Sequence, residues 1–125
     1  VSQKAAEAAY TTSQECVETM RKAFERRRDL IVELASQIPG LEVNKPEGAF
    51  YLFPKCSSFY GKSYEGKTIN NSTDLAMFLL ETGHVATVGG DAFGDPDCFR
   101  MSYATSDDNI REAMKRIKET LALLK

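Results

Sequence analysis

Cys98-Phe99-Arg100-Met101-Ser102-Tyr103-Ala104, followed by Thr105-Ser106-Asp107-Asp108 and an apolar stripe running to Leu124, decides how this chain folds. The first seven residues have strand composition, and alternation across a strand puts Phe99, Met101 and Tyr103 on one face. Arg100 falls on the other face with Cys98, Ser102 and Ala104, all small. Thr105 or Ser106 suits the N-cap of the next helix, and Asp107 and Asp108 favour the positive end of its dipole. Ile110, Ala113, Met114, Ile117, Leu121 and Leu124 then recur at helical spacing, a stripe that must be laid on a sheet.

Upstream, His84-Val85-Ala86-Thr87-Val88 predicts a short strand directly after Gly83, and residues 89–97 a turn-rich excursion whose Gly89-Gly90 precedes a loop rather than a helix. Asn71 or Ser72 can cap a helix with Leu75, Ala76, Phe78 and Leu79 on one side, ended by Gly83. Cys56 to Asn71 is rich in Ser, Gly, Tyr and Lys without a sustained period and reads as a surface loop of sixteen residues. Leu41–Lys45 alternates, Pro46-Glu47-Gly48 supplies turn chemistry, and Ala49–Phe53 is a compact apolar run. Together these predict a β-hairpin whose second strand is buried on both faces. Farther out, Thr12 and Glu15 stand at capping-box spacing before Val17, Met20, Phe24, Ile31, Leu34 and Ile38, a helix of about six turns that stops before Pro39-Gly40. Arg26-Arg27-Arg28 within it point in three directions and read as a solvated surface.

Val1–Tyr10 carries strong helix formers and no clear apolar stripe. The order helix, helix, hairpin, helix, strand, strand, helix predicts an α+β two-layer domain, a small mixed sheet covered by three amphipathic helices.

A length of 125 residues fits one domain, and a net charge of -2 supplies no attraction to phosphate backbones or anionic lipid, so neither nucleic acid nor membrane is an expected partner. No apolar run approaches the roughly 20 residues that span a bilayer, and Val1 to Tyr10, Ala-rich and interrupted by Lys4 and Glu7, does not read as a signal h-region. Cys16, Cys56 and Cys98 have no CxxC spacing and only His84 to join them, which argues against a disulfide framework or zinc site and for reduced thiols in the cytoplasm. The abrupt start at Val1, without Met, suggests a piece of a longer polypeptide.

Arg100 carries the chemistry. A guanidinium in mid-strand between Phe99 and Met101 is costly to bury without an anion, and small neighbours leave room for its planar fork to grip a carboxylate. Two partners satisfy that need: an acidic residue of the same chain, or a carboxylate brought in from outside. Gly61-Lys62-Ser63 lacks the glycine that opens a phosphate-binding loop, and His84 has no acidic or thiol partner at useful spacing.

Arg27-Arg28-Asp29-Leu30, Ile38-Pro39-Gly40-Leu41, Pro46 to Pro54 and Phe99 to Ala104 resemble, in that order, the C-terminal part of class I/II pyridoxal-phosphate-dependent aminotransferases, most of all prokaryotic aspartate aminotransferases. The resemblance implies that residues 11–125 form the small domain and residues 1–10 a lead-in helix from a large domain that lies before Val1. It implies that Arg100 binds the substrate α-carboxylate in the transamination of an amino acid and a 2-oxo acid. It further implies that pyridoxal 5'-phosphate, its Schiff-base lysine and the dimer interface belong to the full-length enzyme. Neither Lys4 nor Lys22 lies in such a lysine motif, so no catalytic or cofactor residue is assigned here and the piece alone is expected to bind no cofactor. Alanine, aromatic and kynurenine aminotransferases, the cyclopropane-carboxylate synthases and a free-standing carboxylate-binding module remain alternatives.

Overall fold

Helix α1 (Ser2–Thr11) leads into α2 (Glu15–Ser36), and an irregular stretch then reaches strand β1 (Tyr51–Leu52). Strands β2 (Ser63–Tyr64) and β3 (Lys67–Thr68), helix α3 (Ser72–Gly83), strands β4 (Val88–Gly89) and β5 (Phe99–Ser102) and helix α4 (Asp107–Leu121) complete the order. The computed structural model describes all residues, Val1–Lys125.

β5 is the central strand of a sheet ordered β1-β5-β4, with Tyr51 opposite Ser102 and Val88 opposite Arg100. The architecture is the expected α+β. Every strand pair in the sheet is antiparallel rather than mixed, and β4 and β5 are joined by a reversing turn with no helix of more than one turn between them.

Phe99, Met101 and Tyr103 are buried on the helix side together with Ile110, Met114, Ile117, Leu121 and Leu124 of the α4 stripe. Leu75, Phe78 and Leu79 of α3 and Leu30, Ile31 and Ala35 of α2 close the same core. Burying side chains of this size stabilises by roughly 1.5–3 kcal/mol each. The caps form where the sequence puts them. Asn71 Oδ1 accepts the Asp74 N–H at 2.8 Å, and Ser106 Oγ accepts the Asn109 N–H at 3.2 Å. At the far end of the chain, Lys125 and Ser63 exchange N–H to carbonyl hydrogen bonds of 3.1 and 2.8 Å, tying the tail to β2. No helix is long and apolar enough to cross a membrane.

Several local expectations are corrected. The Thr12 hydroxyl donates to the Ala8 carbonyl at 2.6 Å, so it closes α1; Gln14 stands at the N-cap of α2 and the capping box does not form. The hairpin of residues 41–53 is also absent. Glu42 meets Lys55 in one isolated bridge, while β1 pairs with β5, where Leu52 gains a buried neighbour in Met101. Residues 56–71 are structured: a 3-10 turn at Ser57–Phe59 and the β2–β3 hairpin anchor themselves through buried Phe59 and Ile69. Strands of two residues are too short to show a period. His84 does not begin a strand; it takes the left-handed position, φ 54°, that ends α3. Gly90–Phe93 forms one 3-10 turn rather than an open loop. The arginine run is not simply solvated, since Arg26 and Arg27 both reach Asp107 of α4 and Arg28 turns to Asp29 at 2.9 Å.

Candidate functional site

Because β5 is central, a side chain standing on its outer face has a strand on either side. Arg100 is such a side chain, half-buried and directed away from the helices. Tyr51 projects on the same face, since it is the cross-strand partner of Ser102, and its ring centre lies 4.3 Å from the Arg100 Cζ. From the opposite flank, the turn after β4 delivers Phe93, whose ring centre lies 4.2 Å from the same carbon. The guanidinium therefore sits between two aromatic faces.

What it lacks is an acidic partner. Arg21, Arg26, Arg27, Arg28 and Arg116 each have a carboxylate oxygen within 4.0 Å, whereas Arg100 has none. Its charge is held by the quadrupoles of two rings, contacts worth roughly 0.5–2 kcal/mol each. Those contacts use none of its N–H donors.

The surroundings fix these rings in place. Phe53, two residues beyond Tyr51, meets Phe93 edge to face at 6.2 Å and 90°. Phe50 packs on Tyr51 at 4.5 Å. Tyr103 donates its backbone N–H to the Phe50 carbonyl at 2.9 Å and its hydroxyl to the Ala49 carbonyl at 3.0 Å, which pins the approach to β1. The turn carrying Phe93 is tied to α3, because the Gly90 N–H donates to the buried Ser72 Oγ at 3.0 Å. Any Cβ at position 90 would collide with the Asp95 and Cys98 carbonyls, so the turn closes this tightly only on glycine.

Under the turn lie two thiols. Burial pushes Cys56 up to about 11 and Cys98 up to about 12, and nearby Asp95 and Asp97 oppose ionisation further. Cys56 donates its N–H and Sγ to the Asp97 carbonyl, at 2.8 and 3.2 Å. These are structural thiols rather than nucleophiles.

A pyridoxal phosphate site needs a lysine amine shielded from water, a carboxylate for the ring nitrogen and donors for the phosphate. Lys4, Lys22, Lys45, Lys55, Lys67, Lys115, Lys118 and Lys125 are exposed, and Lys62 lies over the Phe59 ring at 5.1 Å. The residues present do not fit that group. What this chain does present is the Arg100 guanidinium, half-buried beside two rings and with no carboxylate of its own chain within 4.0 Å.

Sequence reasoning singled out Arg100 as a candidate and gave no sign of the two rings that flank it. Tyr51 is recognisable only once its register against Ser102 is known. Phe93 sits in a turn with no periodicity to mark its direction.

A profile of the class I and II aminotransferases matches residues 1–117 of this chain. The chain belongs to that family. It is 46% identical over 129 aligned residues to the bifunctional aspartate aminotransferase and glutamate/aspartate-prephenate aminotransferase of Petunia hybrida, covering 100% of this chain and 27% of that one. The crystal structure of the aspartate aminotransferase from Rhizobium meliloti superposes with a TM-score of 0.94 at 42% identity, over 99% of this chain and 31% of that one. The aromatic aminotransferase of Pyrococcus horikoshii OT3 superposes at 0.83 with 35% identity, over 96% and 31%. This aminotransferase chain thus spans between a quarter and a third of the length of these relatives.

Proposed function

We propose that this chain is the carboxylate-binding small domain of a pyridoxal-phosphate-dependent aminotransferase, and that Arg100 grips the α-carboxylate shared by its amino-acid and 2-oxo-acid substrates. The observation that carries the reading is a half-buried guanidinium held by Tyr51 and Phe93 with no carboxylate of its own chain within 4.0 Å. A charge kept without an acidic partner is available to an incoming one. Aspartate and 2-oxoglutarate are the favoured pair, in keeping with the 46% identity to a plant aspartate aminotransferase.

The clamp orients rather than reacts. Two parallel hydrogen bonds from a fixed fork set the direction of the substrate's Cα, so that its amine is presented to the cofactor; this is catalysis by positioning. The cofactor, which supplies the electron sink, belongs in this reading to the large domain, and the full enzyme works as a homodimer. Residues 11–125 are the small domain and residues 1–10 the lead-in helix. Support for the latter is that α1 buries no residue against the rest of the chain.

Arg100→Lys in the full-length enzyme tests the reading. A single ammonium cannot reproduce the fork, and the loss of one charge-assisted hydrogen bond, roughly 1.5–3 kcal/mol, lowers kcat/KM by about one to two decades. Steady-state kinetics with aspartate and 2-oxoglutarate measure it, and an unchanged kcat/KM would remove the clamp.

A further inference from the structure

A guanidinium half out of water can be held by carboxylates, by backbone carbonyls or by aromatic faces. The first two consume N–H donors, and a carboxylate also cancels the charge. Aromatic faces do neither. Two rings on opposite flanks of Arg100, at 4.3 and 4.2 Å, therefore hold the group while leaving both its charge and its N–H donors for a ligand.

We propose that Phe93 is a positioning residue for the substrate carboxylate: with Tyr51 it clamps the plane of the Arg100 guanidinium and presents the donor edge to the ligand already oriented. This rests on the reading of Arg100 given above. Phe93 is 45% exposed and lies outside the buried hydrophobic cluster, so core packing does not account for a large apolar ring at the tip of a turn. Phe53 abuts its edge at 90°, which fixes its tilt. The turn beneath it is anchored by the Gly90 to Ser72 hydrogen bond and closed by left-handed Gly94, φ 86°.

The test uses the full-length aminotransferase with Phe93→Leu, Phe93→Tyr and Arg100→Lys. Leucine keeps an apolar side chain but has no π face; tyrosine restores one. For two L-amino acids that differ only in side chain, Phe93→Leu raises KM by about 2- to 30-fold, the factor equivalent to one cation–π contact of this kind. The factor is the same for both, because the α-carboxylate is common to them, and kcat holds within about twofold. The inhibition constant of a non-reacting dicarboxylate, succinate, rises in parallel, and Phe93→Tyr returns both constants to the parent values.

If Arg100→Lys weakens substrate binding while Phe93→Leu leaves KM and the succinate constant unchanged, the positioning role falls and the clamp stands. If Arg100→Lys also leaves them unchanged, the clamp itself falls. A Phe93→Leu enzyme with lowered melting temperature and kcat but parental KM, or one not rescued by tyrosine, marks a purely structural ring and overturns the proposal.

Discussion

Arg100 separates two things that buried arginines usually combine, stabilisation of the charge and use of the donors. Tyr51 and Phe93 supply the first and leave the second. Nearby, Cys56 and Cys98 show how environment sets reactivity. Desolvation holds each thiol protonated far above neutrality, while Cys16 is exposed on α2. Under native conditions at about pH 8, iodoacetamide should therefore alkylate Cys16 alone, with Cys56 and Cys98 reacting only after unfolding. Mass spectrometry of the modified peptides reads the pattern, and fast native labelling of Cys56 would contradict the packing described. At this scale the sequence displayed Arg100 because a charge between two apolar strand residues is conspicuous. It concealed Phe93 because a ring in a turn acquires meaning only from what the turn places beside it.

Elements were legible in proportion to their length. The α4 stripe and its Ser106 cap were readable because fifteen residues repeat one period and the cap chemistry is local. The hairpin expected at residues 41–53 failed because β1 is specified by a partner, Met101 with Ser102, some fifty residues away. Local turn chemistry cannot report that competition. The contact between α2 and α4 was equally hidden, since three consecutive arginines look solvated until Asp107 is placed opposite them.

The hydrogen bond from Arg26 Nε, at 3.0 Å, is the main cause holding the Asp107 carboxyl below its ordinary 3.8. A depressed carboxyl stabilises the fold above its unfolded value and loses that contribution as pH falls through its folded value. Asp107→Asn should lower the melting temperature at about pH 7, and the gap from the parent should close as pH drops below 3.8. Thermal scans across that range measure it; a gap that shows no decrease at all as the pH falls below 3.8 would show that the ion pair is not its source.

Across the whole molecule, 7878 Å² of surface exceeds the roughly 6,700 Å² expected of a compact 13.9 kDa monomer. The excess lies with α1 and the first turns of α2, where Tyr10, Val17 and Met20 stand in solvent. A chain spanning 27% of the Petunia relative, with no lysine placed for a Schiff base, is expected to carry recognition without chemistry. Mixed with pyridoxal phosphate, the 125-residue chain should show no stoichiometric aldimine absorbance that borohydride fixes at one lysine. Such a band would overturn the division of labour proposed here.

The two ends of the chain differ in how they would bear a mechanical load. A tether at Lys125 pulls on the paired bonds to Ser63, which tie the tail to the small hairpin. A tether at Val1 meets only a helix that buries nothing and unwinds it against little resistance. For a surface-immobilised or fused protein, the tail is thus the buckled end and the head the loose one.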